Sequence, residues 1–107
     1  MINSKWVLKL ALAISLFSAN LMAAGDPVAG EIKFETCRGC HAIPSYFNVY
    51  PSYHVPKIWG QHPDYIVAAL KAYREGARSH DTMQANSANL TDQDMEDIAA
   101  YLQLGNQ

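Results

Sequence analysis

The fold of this chain is decided by one short stretch, Cys37-Arg38-Gly39-Cys40-His41. Two cysteines separated by two residues and followed at once by a histidine form the pattern of a covalent c-type haem attachment site. On one helical turn the two thiols can reach the two vinyl groups of a haem, while the adjacent imidazole points at the iron. The motif therefore predicts thioether bonds at Cys37 and Cys40 and a proximal iron ligand at His41.

Two other kinds of Cys-x-x-Cys site are alternatives. A thioredoxin-like redox site is expected in a βαβ context, and no strand pattern surrounds residues 37–41. A zinc site needs further ligands, but His54, His62 and His80 are scattered without the paired spacing of a zinc finger. Because both cysteines lie inside the motif, no thiol remains for a structural disulfide. The sequence favours haem attachment.

The N-terminal residues have the pattern of a secretory signal peptide. Lys5 and Lys9 give a positive start, an apolar run follows, and small residues end the segment at Ala24. We therefore predict a signal peptide over residues 1–24, a periplasmic location, and a single domain over residues 25–107. The apolar run is shorter than the ~20 residues of a membrane-spanning helix. No stable membrane insertion is expected after cleavage.

The size and charge of the predicted mature chain limit its function. It has 83 residues, with six bases and ten acids, for a net charge of −4. A chain of this length forms one small domain with a marginal core, to which a covalent haem would add a large apolar centre. A mildly acidic protein is not expected to bind nucleic acid through bulk charge. A partner protein with a basic docking patch fits better.

Three helices are predicted along the mature chain. The first begins with Asp26 as N-cap and Pro27 at the first helical position, and runs into the attachment motif. Gly30 lowers helix propensity there, which suggests that another backbone lies close. The second runs from Pro63 to a glycine at Gly76.

The third helix has Thr91 as N-cap and stops at Gly105. Its apolar positions recur at helical spacing and predict a buried face. That face consists of Met95, Ile98, Ala99 and Leu102, with Tyr101 beside it.

Irregular stretches are predicted over residues 42–62 and 77–90. The first is unusually aromatic, and its large side chains need an apolar partner, either the faces of the haem or the helices. These aromatics are Tyr46, Phe47, Tyr50, Tyr53 and Trp59.

Met83 is the candidate for the distal iron ligand. It is an apolar residue in the polar run 78–87 between two helices, and loops on a rigid scaffold often carry function. A thioether raises the haem potential relative to a second imidazole. Met95 falls on the apolar face of the last helix and is expected in the core. The competing ligands are histidines, with His80 ahead of His54 and His62.

The order of these features resembles class I cytochrome c, and most of all the small bacterial cytochromes of the c4, c5 and c553 type. The resemblance covers residues 25–105 and implies an all-α fold, with three main helices and irregular loops wrapped around one covalent haem c. It also implies that the first and last helices cross at Gly30. It rests on Gly30, Phe34, the attachment motif, Val55-Pro56-Lys57-Ile58-Trp59-Gly60-Gln61, Met83 and Ala99-Ala100-Tyr101-Leu102.

The resemblance also implies a function. We expect a monomeric, monohaem one-electron carrier, not an enzyme, whose iron cycles between Fe(II) and Fe(III) with His41 and Met83 as axial ligands. Its partners would be a donor dehydrogenase and an acceptor oxidase or another cytochrome. Two alternatives stay open: a haem enzyme or gas sensor with an open distal site, and an electron-entry subunit of a larger oxidoreductase. Two departures from the family are the tyrosine-rich stretch 42–54 and Trp59, where relatives often have a small residue.

Overall fold

The structure is a computed structural model that describes residues 24–105. The predicted signal peptide, residues 1–24, therefore lies almost entirely outside the described residues. The described part contains four helices and one short antiparallel hairpin, and none of its helices has the length and apolar content needed to cross a bilayer. In chain order the elements are α1 (Pro27–His41), β1 (Phe47–Asn48), β2 (Tyr53–His54), α2 (Pro63–Glu75), α3 (Asp81–Ser87) and α4 (Asp92–Gln103).

The ends of the main helices follow from local chemistry. The Asp26 carboxylate accepts a hydrogen bond from the backbone N–H of Val28 (2.9 Å), and Pro27 occupies the first turn of α1. Thr91 and Asp94 form a reciprocal capping box at the start of α4. Gly76 ends α2 with a φ of 77°, a left-handed conformation that glycine adopts without a Cβ clash. The predicted starts of all three helices are confirmed.

Helices α1 and α4 cross in direct backbone contact. A Cβ placed on Gly30 would lie much closer than 3.0 Å to the carbonyl oxygen of Asp97. It would also lie 2.9 Å from the Cβ of Tyr101. Only a residue without a side chain fits at this point. The close backbone approach predicted from Gly30 is therefore confirmed.

The core lies where these two helices meet α2. Phe34 is fully buried, and its ring packs edge-on against Trp59 (5.2 Å between ring centroids) and at a tilt against Tyr101 (5.7 Å). Trp59 thus packs on helices, one of the two partners predicted for the loop aromatics. The buried apolar residues are Phe34, Ile66, Val67, Met95, Ile98, Ala99 and Leu102, which confirms the predicted buried face of the last helix.

A polar network beside the crossing joins the start of α1 to α4. The buried carboxylate of Asp97 accepts from the backbone N–H of Asp26 (2.8 Å), the amide of Gln93 (2.8 Å) and the ammonium of Lys33, which also pairs with Asp94 (2.8 Å). Burial acts to raise the pKa of Asp97, but these hydrogen bonds outweigh it and hold the pKa below its ordinary value.

Helix α3 is a short fourth helix within the stretch 77–90, which we predicted to be irregular. His80 precedes it in an extended conformation, and the Nδ1 of His80 accepts from the backbone N–H of Met83 (3.4 Å). In return, the side-chain oxygen of Gln84 accepts from the backbone N–H of His80 (3.1 Å). This reciprocal capping starts a helix in a sequence that has no apolar stripe to reveal it.

Candidate functional site

A single cavity of about 400 Å³ brings the predicted site residues together. Its size lies within the range of roughly 300–1,000 Å³ that is usual for cofactor sites. It is lined by the end of α1, the hairpin and the loop after it, α2, the start of α3 and one face of α4, and most of its lining is apolar. Cys37, Cys40, His41 and Met83 all line this cavity.

The two cysteines lie in the last turns of α1, half-buried and facing the cavity. Burial raises the pKa of the Cys37 thiol; a contact with the Thr36 hydroxyl (3.8 Å) partly opposes the rise, and the nearby Cys40 adds to it. Reactive dithiols work through a thiolate of lowered pKa. Both cysteines lie at the C-terminal end of α1, whereas thiolates are stabilised at helix N-termini.

The imidazole of His41 is oriented by a backbone carbonyl. Its Nδ1 lies 2.7 Å from the carbonyl oxygen of Pro56. Because a carbonyl only accepts, Nδ1 carries the proton and donates, which leaves the lone pair of Nε2 free for a metal. Pro56 is itself held in place, since Val55 donates to Tyr46 (3.0 Å) and Gly60 donates to Leu102 of α4 (2.9 Å).

Met83 lies in the first turn of α3 and is half-buried at the cavity wall. Its backbone N–H is bound by His80, and the hydroxyl of the preceding residue, Thr82, lies 3.0 Å from the hydroxyl of Tyr53. The thioether of Met83 is thus carried by a segment that these two contacts hold in place.

The alternative distal ligands are distributed differently. His80 lines the cavity, but its Nδ1 is occupied by capping α3 and its ring contacts Tyr53 (4.6 Å between centroids). His54 also lines the cavity. His62 stands at the N-cap position of α2, outside the lining, and Met95 is fully buried in the core.

Arg78 is a cavity-lining residue whose contacts with two tyrosines were not predicted from the sequence. It lines the cavity, donates to the hydroxyl of Tyr65 (3.3 Å) and lies over the ring of Tyr73 (4.8 Å). Among residues 24–105, no carboxylate lies within ion-pair distance of Arg78. An arginine in a polar run carries no local signal of such a position; only the fold brings it to the cavity.

The residues of this cavity fit a covalently attached haem. Two thiols, an imidazole with a free Nε2 and a thioether share one largely apolar space, and Arg78 offers a cation to carboxylates such as the haem propionates. In the described part of the chain, no three His, Cys, Asp or Glu side chains converge to hold a bare metal ion.

Comparison with known proteins agrees with this chemistry. The family model described as Cytochrome c matches residues 28–105. The chain is 40% identical over 81 residues to cytochrome c-554(548) of Halomonas halodenitrificans, an alignment that covers 73% of this chain and 94% of that protein. It is 41% identical over 78 residues to cytochrome c4 of Thiocapsa roseopersicina, which covers 72% of this chain and 38% of the relative.

Two further similarities concern the fold and the range of relatives. The crystal structure of reduced recombinant cytochrome c4 from Pseudomonas stutzeri superposes with a TM-score of 0.56 at 27% identity, over 87% of this chain and 57% of that one. The predicted small all-α cytochrome c fold is confirmed. The chain is also 32% identical over 72 residues to the cytochrome subunit of sulfide dehydrogenase of Chlorobaculum tepidum. That alignment covers 67% of this chain and 62% of the relative. The chain thus spans about two fifths of the cytochrome c4 relative and most of cytochrome c-554(548).

Proposed function

The chain belongs to the cytochrome c family as a class I, c4-like member with covalently bound haem c, and from this premise we propose that it is a periplasmic, monohaem one-electron carrier. Its family relatives indicate an electron-transfer haem protein. The observation that carries the finer proposal is the shared cavity of Cys37, Cys40, His41 and Met83. The sequence has a single Cys-x-x-Cys-His motif, which supports one haem per chain.

Each of the four residues has one role in the proposal. Cys37 and Cys40 would hold the haem through thioether bonds, Nε2 of His41 would be the proximal iron ligand, and the sulfur of Met83 would be the distal one. The hydrogen bond from His41 to the Pro56 carbonyl supports the proximal role, since it fixes the tautomer and the ring orientation. A thioether as second ligand favours a higher reduction potential than a second imidazole would.

Haem supplies one-electron chemistry when bound, as its iron alternates between the ferrous and ferric states. The protein's contribution is rigidity. His41 is held by Pro56, and the Met83 segment is held by His80 and Tyr53. Two fixed ligands keep the rearrangement that accompanies each electron transfer small.

The proposal extends to location, domains and partners. Residues 1–24 would be the signal peptide, residues 25–107 one haem domain, and the exported protein a monomer. Electrons would pass to and from a donor dehydrogenase and an acceptor oxidase or cytochrome through small, transient interfaces, of the kind weak redox complexes use.

One alternative is favoured by a specific observation. The similarity to the cytochrome subunit of sulfide dehydrogenase supports a role as the electron-entry subunit of a larger oxidoreductase. Affinity purification of the chain from its own periplasm separates the two roles. A free carrier elutes alone, whereas a subunit retains a dehydrogenase at constant stoichiometry.

Ligation by Met83 is tested by absorption spectroscopy. The oxidised protein should show the weak far-red band of an iron–methionine sulfur bond, and Met83→Ala should abolish it. Met95→Leu is the matched control, because Met95 is a fully buried core methionine, and it should keep the band. A wild type without the band, or a Met83→Ala variant that retains it, would refute the ligand assignment and favour the open-site alternative of a haem enzyme or gas sensor.

A further inference from the structure

The tyrosine hairpin, defined here as residues 46–55, lies between the two proposed ligand segments. It is closed by the hydrogen bond from Val55 to Tyr46 (3.0 Å) and by antiparallel pairing of Asn48 with Tyr53. Pro56, whose carbonyl orients His41, follows it directly in the chain. One end of the tyrosine hairpin is therefore tied to the proximal side of the cavity.

The other contact of the tyrosine hairpin is with the segment that carries Met83. The Tyr53 hydroxyl lies 3.0 Å from the Thr82 hydroxyl, and the Tyr53 ring packs edge-on against His80 (4.6 Å). Thr82 adjoins Met83, and His80 binds the Met83 backbone N–H. Tyr53 thus touches two residues that set the position of Met83, and the nearer of them, His80, is 27 residues away in the sequence.

Tyr53 differs in its surroundings from Tyr50, which lies in the turn of the same hairpin. Tyr53 lines the cavity, whereas Tyr50 is 94% exposed and outside the lining. The two tyrosines share a hairpin and a hydroxyl but not a contact with the Met83 segment. They form a natural pair for experiment.

We propose that Tyr53 is a positioning residue that keeps Met83 on the iron, so that the tyrosine hairpin acts as a strap from the proximal to the distal side of the cavity. The inference rests on the proposed ligation by Met83. Without the strap, the start of α3 would move away from the cavity more often, and small ligands would reach the distal position. The tyrosine-rich stretch 42–54, a departure from the family, would then serve to keep this protein a carrier.

Imidazole binding to the ferric holoprotein tests the strap, with loss of the far-red band as the signal. Tyr53→Phe removes the hydroxyl and keeps the ring, and Thr82→Val removes the partner hydroxyl. Because one hydrogen bond of ordinary strength changes an equilibrium roughly two- to tenfold, each variant should raise the imidazole binding constant by that factor. The double variant should equal the stronger single variant, since both remove the same contact. Tyr50→Phe should match wild type.

The midpoint of urea unfolding provides the readout that separates positioning from general stability. It should stay close to wild type in Tyr53→Phe while imidazole affinity rises. Unchanged imidazole affinity in Tyr53→Phe or Thr82→Val, with the far-red band present, would overturn the strap and leave Met83 ligation intact. Fully additive effects in the double variant would also overturn it. Absence of the band from the wild type would overturn both proposals.

Discussion

Replacing Gly30 by alanine adds one methyl group where α1 crosses α4. The new Cβ would lie more than 1 Å inside the 3.0 Å closest approach to the Asp97 carbonyl oxygen, and backbone cannot rotate out of its way. The helices must therefore separate by about 1 Å, which weakens the dispersion contacts around Phe34. Overpacking of about 3 kcal/mol, offset by about 1 kcal/mol of helix propensity, gives a net destabilisation of about 2 kcal/mol.

Gly39→Ala is the matched control in the same helix. Gly39 is exposed, and a Cβ there has no heavy atom within 4 Å. The same substitution should therefore stabilise the protein by about 0.5–1 kcal/mol. Urea unfolding of the oxidised holoproteins can be monitored by circular dichroism. Relative to wild type, the two unfolding midpoints should shift in opposite directions, with that of Gly30→Ala lower by about 1 M. Equal stability of the two variants would refute the backbone contact at Gly30.

Two further predictions concern charged groups. Hydrogen bonds lower the pKa of folded Asp97, so its contribution to stability is complete above the unfolded pKa of about 4 and is lost as pH falls through the folded value. Asp97→Asn should therefore lower the thermal unfolding temperature at pH 7. The difference from wild type in that temperature should shrink towards pH 3, and a difference that is independent of pH would contradict the prediction. Arg78→Gln should lower the reduction potential by about 40 mV, because a nearby cation disfavours the ferric state. This shift corresponds to a free-energy change of about 1 kcal/mol for one electron. Lys71→Gln is the control, because Lys71 pairs with Asp92 and lies outside the cavity lining. In potentiometric titration it should shift the reduction potential less than Arg78→Gln does. Equal shifts would contradict the role of Arg78.

The features that sequence predicted are those with a local chemical signature. Asp26, Thr91 and Gly76 mark helix ends because capping depends on the residue itself and its near neighbours. Gly30 revealed a tertiary contact, since a glycine inside a helix lowers helix propensity and needs a packing reason. The attachment motif is equally local, and its residues do meet Met83 at one cavity.

The features that escaped prediction depend on contacts distant in sequence. The hairpin strands have two residues each, too few for an alternating pattern. Helix α3 is polar, and its position is set by His80 and by the Tyr53 contact. The loop aromatics lie in three different environments: Trp59 packs on helices, Tyr53 lines the cavity, and Tyr50 faces solvent. Because all three are aromatic, residue type alone could not predict which environment each one occupies.

The crossing of α1 and α4 joins two segments that lie far apart in the sequence. Asp26 and Asp97, which are hydrogen-bonded in the folded domain, are 71 residues apart in the chain. Among the described helices α1 comes first in the chain, and α4, its main packing partner, comes last. Cys37 and Cys40 therefore lie on a helix whose buried face is covered by a segment distant in the sequence. Contacts of such high sequence separation slow folding, because the intervening chain must be ordered before they form.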